Sequence, residues 1–354
     1  MKTKLMIYLL CVLISLVLVG CWGKKNNEEI SNTNKPAAVQ TICPLCGEPC
    51  DEADINRPIL ATLIENSPAA RPQSGLNNAC VVYEAITEGG ITRFLAIYLH
   101  GSSEKIGPIR SARPHFIHLA QDYDATLVHC GESYEALQIL TDTLDRYNLN
   151  QMKFPKPFWR DKSRKAPHNL YTSTEKLHEF MTENNWIESP GQYPSFKRTD
   201  IFPTGGIEAE KVLIHFSGAT GYRLQFNYLP EYKAYERVMD NKVHVDKETN
   251  AECLAPNIIV QYVDAAPFVT SKKGTFDVSV VGTGVGFYIA DGQYFRLHWT
   301  KDRESSATSY TLEDGSDLPL KKGQIWVEVV PMGSDVVLGK KPVEQEGKSK
   351  RRRR

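Results

Sequence analysis

Two arginines spaced three positions apart, Arg110 and Arg113, carry guanidinium groups that could bind an anion. They lie in the stretch "IGPIRSARPHF", directly before a predicted helix that begins near Arg113 and carries Pro114 in its first turn. Guanidinium groups bind carboxylate or phosphate through paired hydrogen bonds, and a helix N-terminus favours an anion. The stretch therefore predicts either an anion-binding site or ion pairs within the chain, and the sequence leaves both open.

Two further loops carry polar side chains next to predicted elements. The stretch "ENSPAARPQSG" follows a buried strand-like run, and "RKAPHNLYTS" precedes a predicted helix. The candidate side chains that these loops contribute are Asn66, Arg71, Gln73, His168 and Asn169. Because irregular loops at strand ends are where α/β folds place their sites, we expect both loops to join Arg110 and Arg113 around one cleft.

A predicted β-hairpin adds two acidic residues and a third arginine. The runs "CVVYEAI" and "ITRFLAIYL" flank Gly89 and Gly90, which is a hairpin pattern. A two-residue loop and a four-residue loop both place Glu84, Glu88 and Arg93 on one face of the hairpin. We therefore expect a glutamate to reach Arg93 across the strands, either as a structural ion pair or as part of the cleft.

The N-terminus has the pattern of a lipoprotein signal peptide. Lys2 and Lys4 precede an apolar run from Leu5 to Val19, and "LVGC" forms a cleavage box that ends in Cys21. Cleavage removes the apolar run, and the two acyl chains of a diacylglyceryl group on Cys21 are enough for stable anchoring. The sequence therefore predicts a body that is lipid-anchored to the cell membrane on its extracytoplasmic face.

The composition and the pattern of predicted strands and helices limit the class of protein. The chain has 354 residues, and its 42 Lys and Arg balance 42 Asp and Glu, so nucleic acid is not an expected partner. Mixed strands and helices followed by short alternating strands indicate an α+β fold. The predicted segments are a signal peptide (1–20), a disordered tether (21–42), an N-terminal mixed α/β sandwich domain (43–191), a linker (192–206), a mainly antiparallel β domain (207–335) and a basic disordered tail (336–354).

Several long motifs resemble the YerB family of bacterial lipoproteins. They are "IENSPAARPQSGL", "KIGPIRSARPHFI", "APHNLYTS" and "GQIWVEVVP", and the resemblance covers the chain from about Cys43 to Pro331. It implies a lipid-anchored body with an N-terminal and a C-terminal family domain, and it does not imply any particular catalysed reaction. The residues that match its motif positions are Asn66, Arg71, Gln73, Glu84, Glu88, Arg93, Arg110, Arg113, His168 and Asn169.

The cysteines are interpreted in the light of export. The stretch "CPLCGEPC" has the spacing of half a zinc ribbon, but no second CxxC follows, and a closed zinc site needs four ligands. In an exported chain a disulfide within this stretch is expected, whereas Cys80, Cys130 and Cys253 are expected to be small core residues. The YerB family usually lacks the cysteines of this stretch, and Cys80 stands where an acidic residue is common in it. Neither a metal nor another cofactor is therefore predicted.

The preferred functional hypothesis is a binding or assembly module. Its arginine-lined cleft would take an anionic ligand, a cell-envelope polymer or a segment of a partner protein, without catalysis. Nucleophilic catalysis has little support, because His129 and Cys130 are neighbours on a strand and point to opposite faces.

Two alternatives stay open. One is a phosphoryl-transfer enzyme of the cell envelope, loosely similar to the LytR-CpsA-Psr wall-polymer ligases. The other is a non-catalytic assembly factor for a membrane protein complex, in which the arginines pair with glutamates of the same chain.

Overall fold

A computed structural model of the chain describes residues 40–143, 145–186, 193–194, 196–199, 202, 204–217, 222–268 and 274–340. The predicted signal peptide, the lipidation site Cys21 and most of the predicted tether lie outside the described residues, as do residues 341–354 of the tail.

The described residues form many strands and few helices. The helices are α1 (Glu52–Ile55), α2 (Pro114–Gln121), α3 (Tyr134–Leu140) and α4 (Thr174–Glu183). The strands are β1 (Gln40–Ile42), β2 (Pro49–Asp51), β3 (Leu60–Glu65), β4 (Val81–Ile86), β5 (Thr92–Tyr98), β6 (Thr126–His129), β7 (Asn148–Asn150), β8 (Trp159–Arg160), β9 (Leu170–Tyr171), β10 (Ile207–Glu208), β11 (Lys211–His215), β12 (Arg223–Leu229), β13 (Ala234–Met239), β14 (Lys242–Val243), β15 (Leu254–Ala255), β16 (Asn257–Val263), β17 (Ala265–Pro267), β18 (Phe276–Val278), β19 (Gly282–Ala290), β20 (Gln293–Lys301), β21 (Ser309–Leu312), β22 (Ile325–Pro331) and β23 (Val336–Gly339).

One large sheet runs through both predicted halves of the chain. Its strand order is β10-β20-β19-β16-β22-β4-β5-β3-β6-β7, and β21 pairs with β20. The late strand β22 lies between β16 and β4 and is parallel to both, so that Glu328 stands beside Glu84. The second half is mainly antiparallel, and several of its strands extend the sheet of the first half.

A second sheet shares a core with one face of the large sheet. Its order is β14-β13-β12-β11-β23, with β15 paired to β13. Phe94 and Trp326 of the large sheet pack in one hydrophobic core with Phe226 of the second sheet. Leu95, which points to the other face of the large sheet, packs in a second core with Phe116 of α2. Strands β4 and β5 are therefore buried on both faces.

Local sequence signals account for the starts of three helices. Helix α2 begins at Pro114, directly after Arg113, as the motif predicts. The hydroxyl groups of Ser133 and Ser173 accept hydrogen bonds from backbone N–H groups in the first turns of α3 and α4, each at 3.2 Å. These local signals place Arg113 at the start of a helix, with Arg110 in the extended segment that leads to it.

Two predicted boundaries are wrong because short strands extend past them. Strand β1 falls inside the predicted tether and pairs with β2. Strand β23 falls inside the predicted basic tail and pairs with β11 at the edge of the second sheet. Both segments gain ladder hydrogen bonds for backbone groups that a disordered chain would leave to water. The folded body therefore includes residues at both ends that composition alone assigned to disorder.

Candidate functional site

The register of the β4–β5 hairpin separates Glu84 from Arg93. Arg93 pairs with Ala85 of β4 and, on its other side, with Glu65 of β3. The connecting turn, residues 87–91, has an odd number of residues, and a register that differs by one residue turns each side chain to the opposite face. The prediction that Glu84 shares a face with Arg93 is therefore wrong.

Nine of the ten predicted site residues consequently divide between two groups on opposite faces of the sheet. The rim cluster consists of Glu65, Glu88, Arg93, Arg110, Arg113 and His168. The core network consists of Asn66, Arg71, Gln73 and Glu84 together with Thr92, Arg237, His244 and Glu328. Asn169 belongs to neither group. The single cleft that the sequence predicts is thus replaced by two distinct clusters.

Asn169 organises the loop that carries His168. Its Oδ1 accepts a hydrogen bond from Nη1 of Arg160 at 2.8 Å, and its Nδ2 donates to the backbone carbonyls of Asp161 and Arg164 at 3.3 Å each. Asn169 is therefore a structural residue of the loop, and it contacts no charged side chain of the rim cluster.

Glu65 is the acceptor at one end of the rim cluster. Nη2 of Arg110 lies 2.7 Å from its Oε1, and Nδ1–H of His168 donates to the same carboxylate at 2.8 Å. The hydroxyl of Ser67 donates to Oε1 at 2.5 Å. Burial alone would raise the pKa of Glu65, but these hydrogen bonds from Arg110, Ser67 and His168 hold it below its ordinary value. The carboxylate is therefore ionised at neutral pH.

Glu88 is the acceptor at the other end. Arg113 approaches it with two nitrogens, and Nη2 of Arg93 lies 3.6 Å from its second oxygen. Arg93 also donates to the backbone carbonyl of Ser111. Burial and the charge of Arg113 lower the pKa of Arg93 to about 9, so it keeps its proton at neutral pH. Glu88 therefore serves two guanidinium groups at once.

Arg110 is the member of the rim cluster with hydrogen-bonding capacity to spare. Among the described residues, Arg110 donates a side-chain hydrogen bond from Nη2, to Glu65, and Nη2 also lies 3.2 Å from Nδ1 of His168, which leaves Nε and Nη1 for other acceptors. Its side chain is 23% exposed, compared with 8% for Arg93 and 12% for Arg113. Three guanidinium groups face two carboxylates in the cluster. The rim cluster thus has one positive charge in excess and one arginine open to solvent.

The core network is centred on an ion pair between Glu84 and Arg237, both of which are fully buried. The carboxylate of Glu84 also accepts hydrogen bonds from Nδ2 of Asn66 at 2.9 Å and from the hydroxyl of Thr92. Arg71 in turn donates to Oδ1 of Asn66 at 3.0 Å. Each buried charge therefore has a hydrogen-bonding partner, as a low-dielectric interior requires.

A chain of hydrogen bonds extends the network to the second sheet. Arg237 donates to Nδ1 of His244 at 2.7 Å, and Nε2–H of His244 donates to Oε1 of Gln73 at 2.8 Å. Burial lowers the pKa of His244 well below its ordinary value, so the ring is neutral. Burial and the neighbouring Glu84 raise the pKa of Glu328 well above its ordinary value, so this carboxyl is protonated at neutral pH. The network therefore carries the Glu84–Arg237 ion pair and a second guanidinium, that of Arg71.

Aromatic rings enclose the guanidinium of Arg237. Its Cζ lies 4.6 Å from the ring centre of Trp326, 5.1 Å from that of Phe94 and 5.9 Å from that of Phe226. These rings come from both sheets, and they seal the ion pair from water. The core network thus joins the two sheets, and its central ion pair between Glu84 and Arg237 is closed to a ligand.

Sequence reasoning missed Arg237, His244 and Glu328. One signal was available, since Glu328 is the single charged residue of the apolar run "IWVEVV" and Arg237 lies in the strand-like run "AYERVM". A charge inside an otherwise apolar strand indicates a buried partner. The identity of that partner could not be read from the sequence, because it comes from a distant part of the chain.

The predicted pairing of the cysteines is also wrong. Cys43, Cys46 and Cys50 are free thiols, so the stretch "CPLCGEPC" contains no disulfide. Cys80 was predicted to be an isolated core residue. Its sulfur lies 3.8 Å from the sulfur of Cys43 and 3.4 Å from Nδ1 of His100. The fold brings together thiols and an imidazole that the sequence keeps far apart, and these groups could hold a metal.

Comparisons with known proteins agree with the fold and the motifs. Residues 45–187 match the N-terminal domain of "Protein of unknown function (DUF3048)", and residues 212–327 match the C-terminal domain of the same family. A protein of Bacillus subtilis (strain 168), named "Putative lipoprotein YerB", is 30% identical over 334 residues, which cover 94% of this chain and 96% of that protein. The crystal structure of YerB protein from Bacillus subtilis has a TM-score of 0.74 and 27% identity, with coverage of 84% of this chain and 99% of the solved chain.

No helix within the described part of the chain is long and apolar enough to cross a membrane. The two family matches lie within the predicted N-terminal and C-terminal domains, and the motif resemblance to YerB is confirmed by an alignment over nearly the whole chain. The chain belongs to the DUF3048 family and is a relative of the Bacillus subtilis protein YerB.

Proposed function

We propose that this chain is a lipoprotein held through Cys21 at the extracytoplasmic face of the cell membrane, where the rim cluster binds an anionic group. That group belongs to a ligand, a cell-envelope polymer or a segment of a partner protein. The "LVGC" motif and the name of the Bacillus subtilis relative support the anchoring. The proposal assigns binding to the rim cluster and no reaction.

The observation that carries this proposal is the spare donor capacity of Arg110. Nε and Nη1 lie on opposite sides of a guanidinium, so each of them can donate one charge-assisted hydrogen bond to an anion while Nη2 holds another partner. Within the described residues Nε and Nη1 of Arg110 have no acceptor, and the side chain is partly exposed. Glu65 meanwhile holds Nη2, so the guanidinium is fixed in place before a ligand arrives.

The charge of the rim cluster favours the same kind of ligand. Glu65 and Glu88 are both ionised, since their pKa values are held below the ordinary range, and together they leave one of the three guanidinium charges uncompensated. An incoming carboxylate or phosphate would balance that charge. The excess is local, because the chain as a whole has equal numbers of acidic and basic residues.

One observation favours the second candidate, a non-catalytic assembly factor in which the arginines serve only the fold. Arg93 and Arg113 both pair with Glu88 and have little exposed surface. The two functions differ at Arg110, because anion binding needs its planar guanidinium, whereas a structural contact to Glu65 would tolerate lysine.

Calorimetric titration of the full chain in detergent micelles tests the proposal. The probes are poly(glycerol phosphate), inorganic phosphate and acetate, which separate a phosphate polymer from a single phosphate and from a carboxylate. We expect binding of at least one probe, and a loss of about tenfold or more in affinity in Arg110→Gln, because hydrogen bonds to a charged group contribute about 1.5–3 kcal/mol. Arg110→Lys should show a similar loss.

Arg296→Gln is the matched control, since it removes an arginine that is 64% exposed on β20. Its affinity for the same probes should equal that of the unmodified chain. Equal binding by Arg110→Gln, or no binding of any of the three probes by the unmodified chain, would contradict the proposal. Weak binding that Arg110→Lys retains in full would favour the assembly factor.

A further inference from the structure

Four potential metal ligands from three separate parts of the sequence meet at one point of the fold. Cys43 and Cys46 lie in the turn between β1 and β2. Cys80 directly precedes β4, and His100 lies shortly after the end of β5. The ligand atoms all lie within 4.8 Å of one another, the three thiols are buried and the imidazole is partly buried. The four groups thus converge beneath the surface at one end of the β4–β5 pair.

The distances between these groups match a tetrahedron around one ion. With Zn–S bonds of about 2.3 Å and a Zn–N bond of about 2.0 Å, tetrahedral geometry requires about 3.8 Å between two sulfurs and about 3.5 Å between sulfur and nitrogen. The sulfurs of Cys43 and Cys80 are 3.8 Å apart. Nδ1 of His100 lies 3.4 Å from the sulfur of Cys80 and 3.7 Å from that of Cys46. The side chains therefore already have the spacing of a coordination shell.

The backbone of the turn presents both of its thiols to the same point. The N–H of Gly47 donates to the carbonyl of Cys43 at 2.8 Å, and Gly47 has a φ of +75°, which favours glycine. The N–H of Gly323 donates to the carbonyl of Cys46 at 2.8 Å and ties the turn to the body of the protein. A CxxC pair on a tight turn is the usual half of a structural zinc site.

We propose that Cys43, Cys46, Cys80 and His100 form a structural zinc site. Three thiolates and one imidazole in tetrahedral spacing select zinc over the hard cations that prefer oxygen ligands. The ligands fill all four positions, so the site is closed and has no place for a substrate. The second half of the site, which the sequence does not show as a CxxC pair, is supplied by residues on either side of the β4–β5 hairpin.

The zinc site links the start of the folded body to the large sheet. Strands β1 and β2 form a two-stranded sheet of their own, and an isolated hairpin of this size is marginally stable in water. Coordination by Cys80 and His100 attaches this hairpin to β4 and β5. A disulfide would engage only two of the four groups, whereas one zinc ion engages all of them.

Metal analysis of the full chain, purified in detergent from zinc-supplemented cells, tests the site directly. We expect one zinc per chain, with three sulfurs at about 2.3 Å and one nitrogen at about 2.0 Å in the zinc X-ray absorption spectrum. This spectrum is recorded on the unmodified chain, so it does not depend on whether a variant folds. Absence of zinc, a shell of oxygen and nitrogen only, or a disulfide within the group in the freshly isolated chain would overturn the proposal.

Variants with a matched control assign the ligands. Cys80→Ser and His100→Ala should each lower zinc affinity by more than about tenfold, because loss of a ligand costs at least as much as loss of a group that orients one. Cys50→Ser is the control, since Cys50 lies in β2, close in sequence to the turn but outside the ligand group. It should retain one zinc. Equal loss of zinc in Cys50→Ser and Cys80→Ser, or full retention in Cys80→Ser, would refute the assignment.

Discussion

The rim cluster and the core network are built from the same kinds of side chain on opposite faces of one sheet, and they differ in burial. In the core network, Glu84 and Arg237 are fully buried and aromatic rings surround the guanidinium. In the rim cluster, Arg110 keeps about a quarter of its side chain in solvent and uses one of its terminal nitrogens. The presence of arginine and glutamate therefore does not by itself indicate a binding site. The number of hydrogen-bond donors without an acceptor distinguishes the two clusters.

The two clusters also differ in what they contribute to stability. A buried ion pair gains little over an apolar pair, but removal of one partner leaves the other charge without compensation. A partly exposed pair is screened by water and contributes about 1 kcal/mol or less. We therefore expect variants of the core network to affect folding and variants of the rim cluster to affect binding.

The largest loss of folding stability is expected for Arg237→Met. The side chain keeps apolar contacts with Trp326 and Phe94 but leaves Glu84 charged in the core, next to Glu328. The free energy of unfolding, measured by chemical denaturation, should fall by about 3–5 kcal/mol. A second variant, Arg237→Met with Glu84→Gln, should recover part of the loss, because no uncompensated charge remains.

Glu328→Gln is the control for the same site. The pKa of Glu328 is raised in the fold, so above the ordinary glutamate pKa of about 4.3 the unfolded chain loses this proton while the folded chain keeps it, and the folded state loses stability as the pH rises. The amide removes that cost, and the variant should be as stable as the unmodified chain at neutral pH, or more stable. A loss as large as that of Arg237→Met would show that Glu328 is an ionised member of the network.

An intermediate and pH-dependent effect is expected for Glu65→Gln. The pKa of Glu65 is lowered in the fold, so its charge contributes stability above the ordinary glutamate pKa of about 4.3 and loses it as the pH falls through the folded value. The variant should be about 1–2 kcal/mol less stable at neutral pH. The difference should shrink on acidification below about pH 4, and a difference that does not change with pH would contradict the assignment of an ionised carboxylate.

The smallest effect on stability is expected for Arg110→Gln. Glu65 keeps its hydrogen bonds from His168 and Ser67, and the lost pair is partly exposed. The free energy of unfolding should change by less than about 1 kcal/mol. A loss similar to that of Arg237→Met would mean that the rim cluster serves the fold in the same way as the core network, and the comparison between them would fail.

The sequence predicted the elements around both clusters because their signals are local. A buried strand-like run and two runs that flank Gly89 and Gly90 indicated strands β3, β4 and β5, and Pro114 marked the start of α2. The motif loops were correctly identified as neighbours of these elements. Local sequence signals do not reveal whether a loop residue joins the rim cluster or the core network.

The errors have specific physical causes. The face of the sheet to which the Arg93 side chain points depends on whether the hairpin turn has an odd or an even number of residues. Gly89 and Gly90 are compatible with both turn lengths. The partner of Glu84 is 153 positions away in the second sheet, so no spacing rule could find it. Cys80 lies 37 positions from Cys43 and His100 lies 54 positions from Cys46, and only the fold brings these groups together.

The most direct test of the account is a crystal structure of the chain grown in phosphate, compared with that of Arg110→Gln under the same conditions. We predict a phosphate with oxygens about 2.7–2.9 Å from Nε or Nη1 of Arg110 in the first crystal, no phosphate there in the second, and an unchanged pair between Glu84 and Arg237 in both. Phosphate bound equally in both crystals, or Nε and Nη1 of Arg110 both occupied by acceptors of the chain itself, would contradict the assignment of binding to the rim cluster.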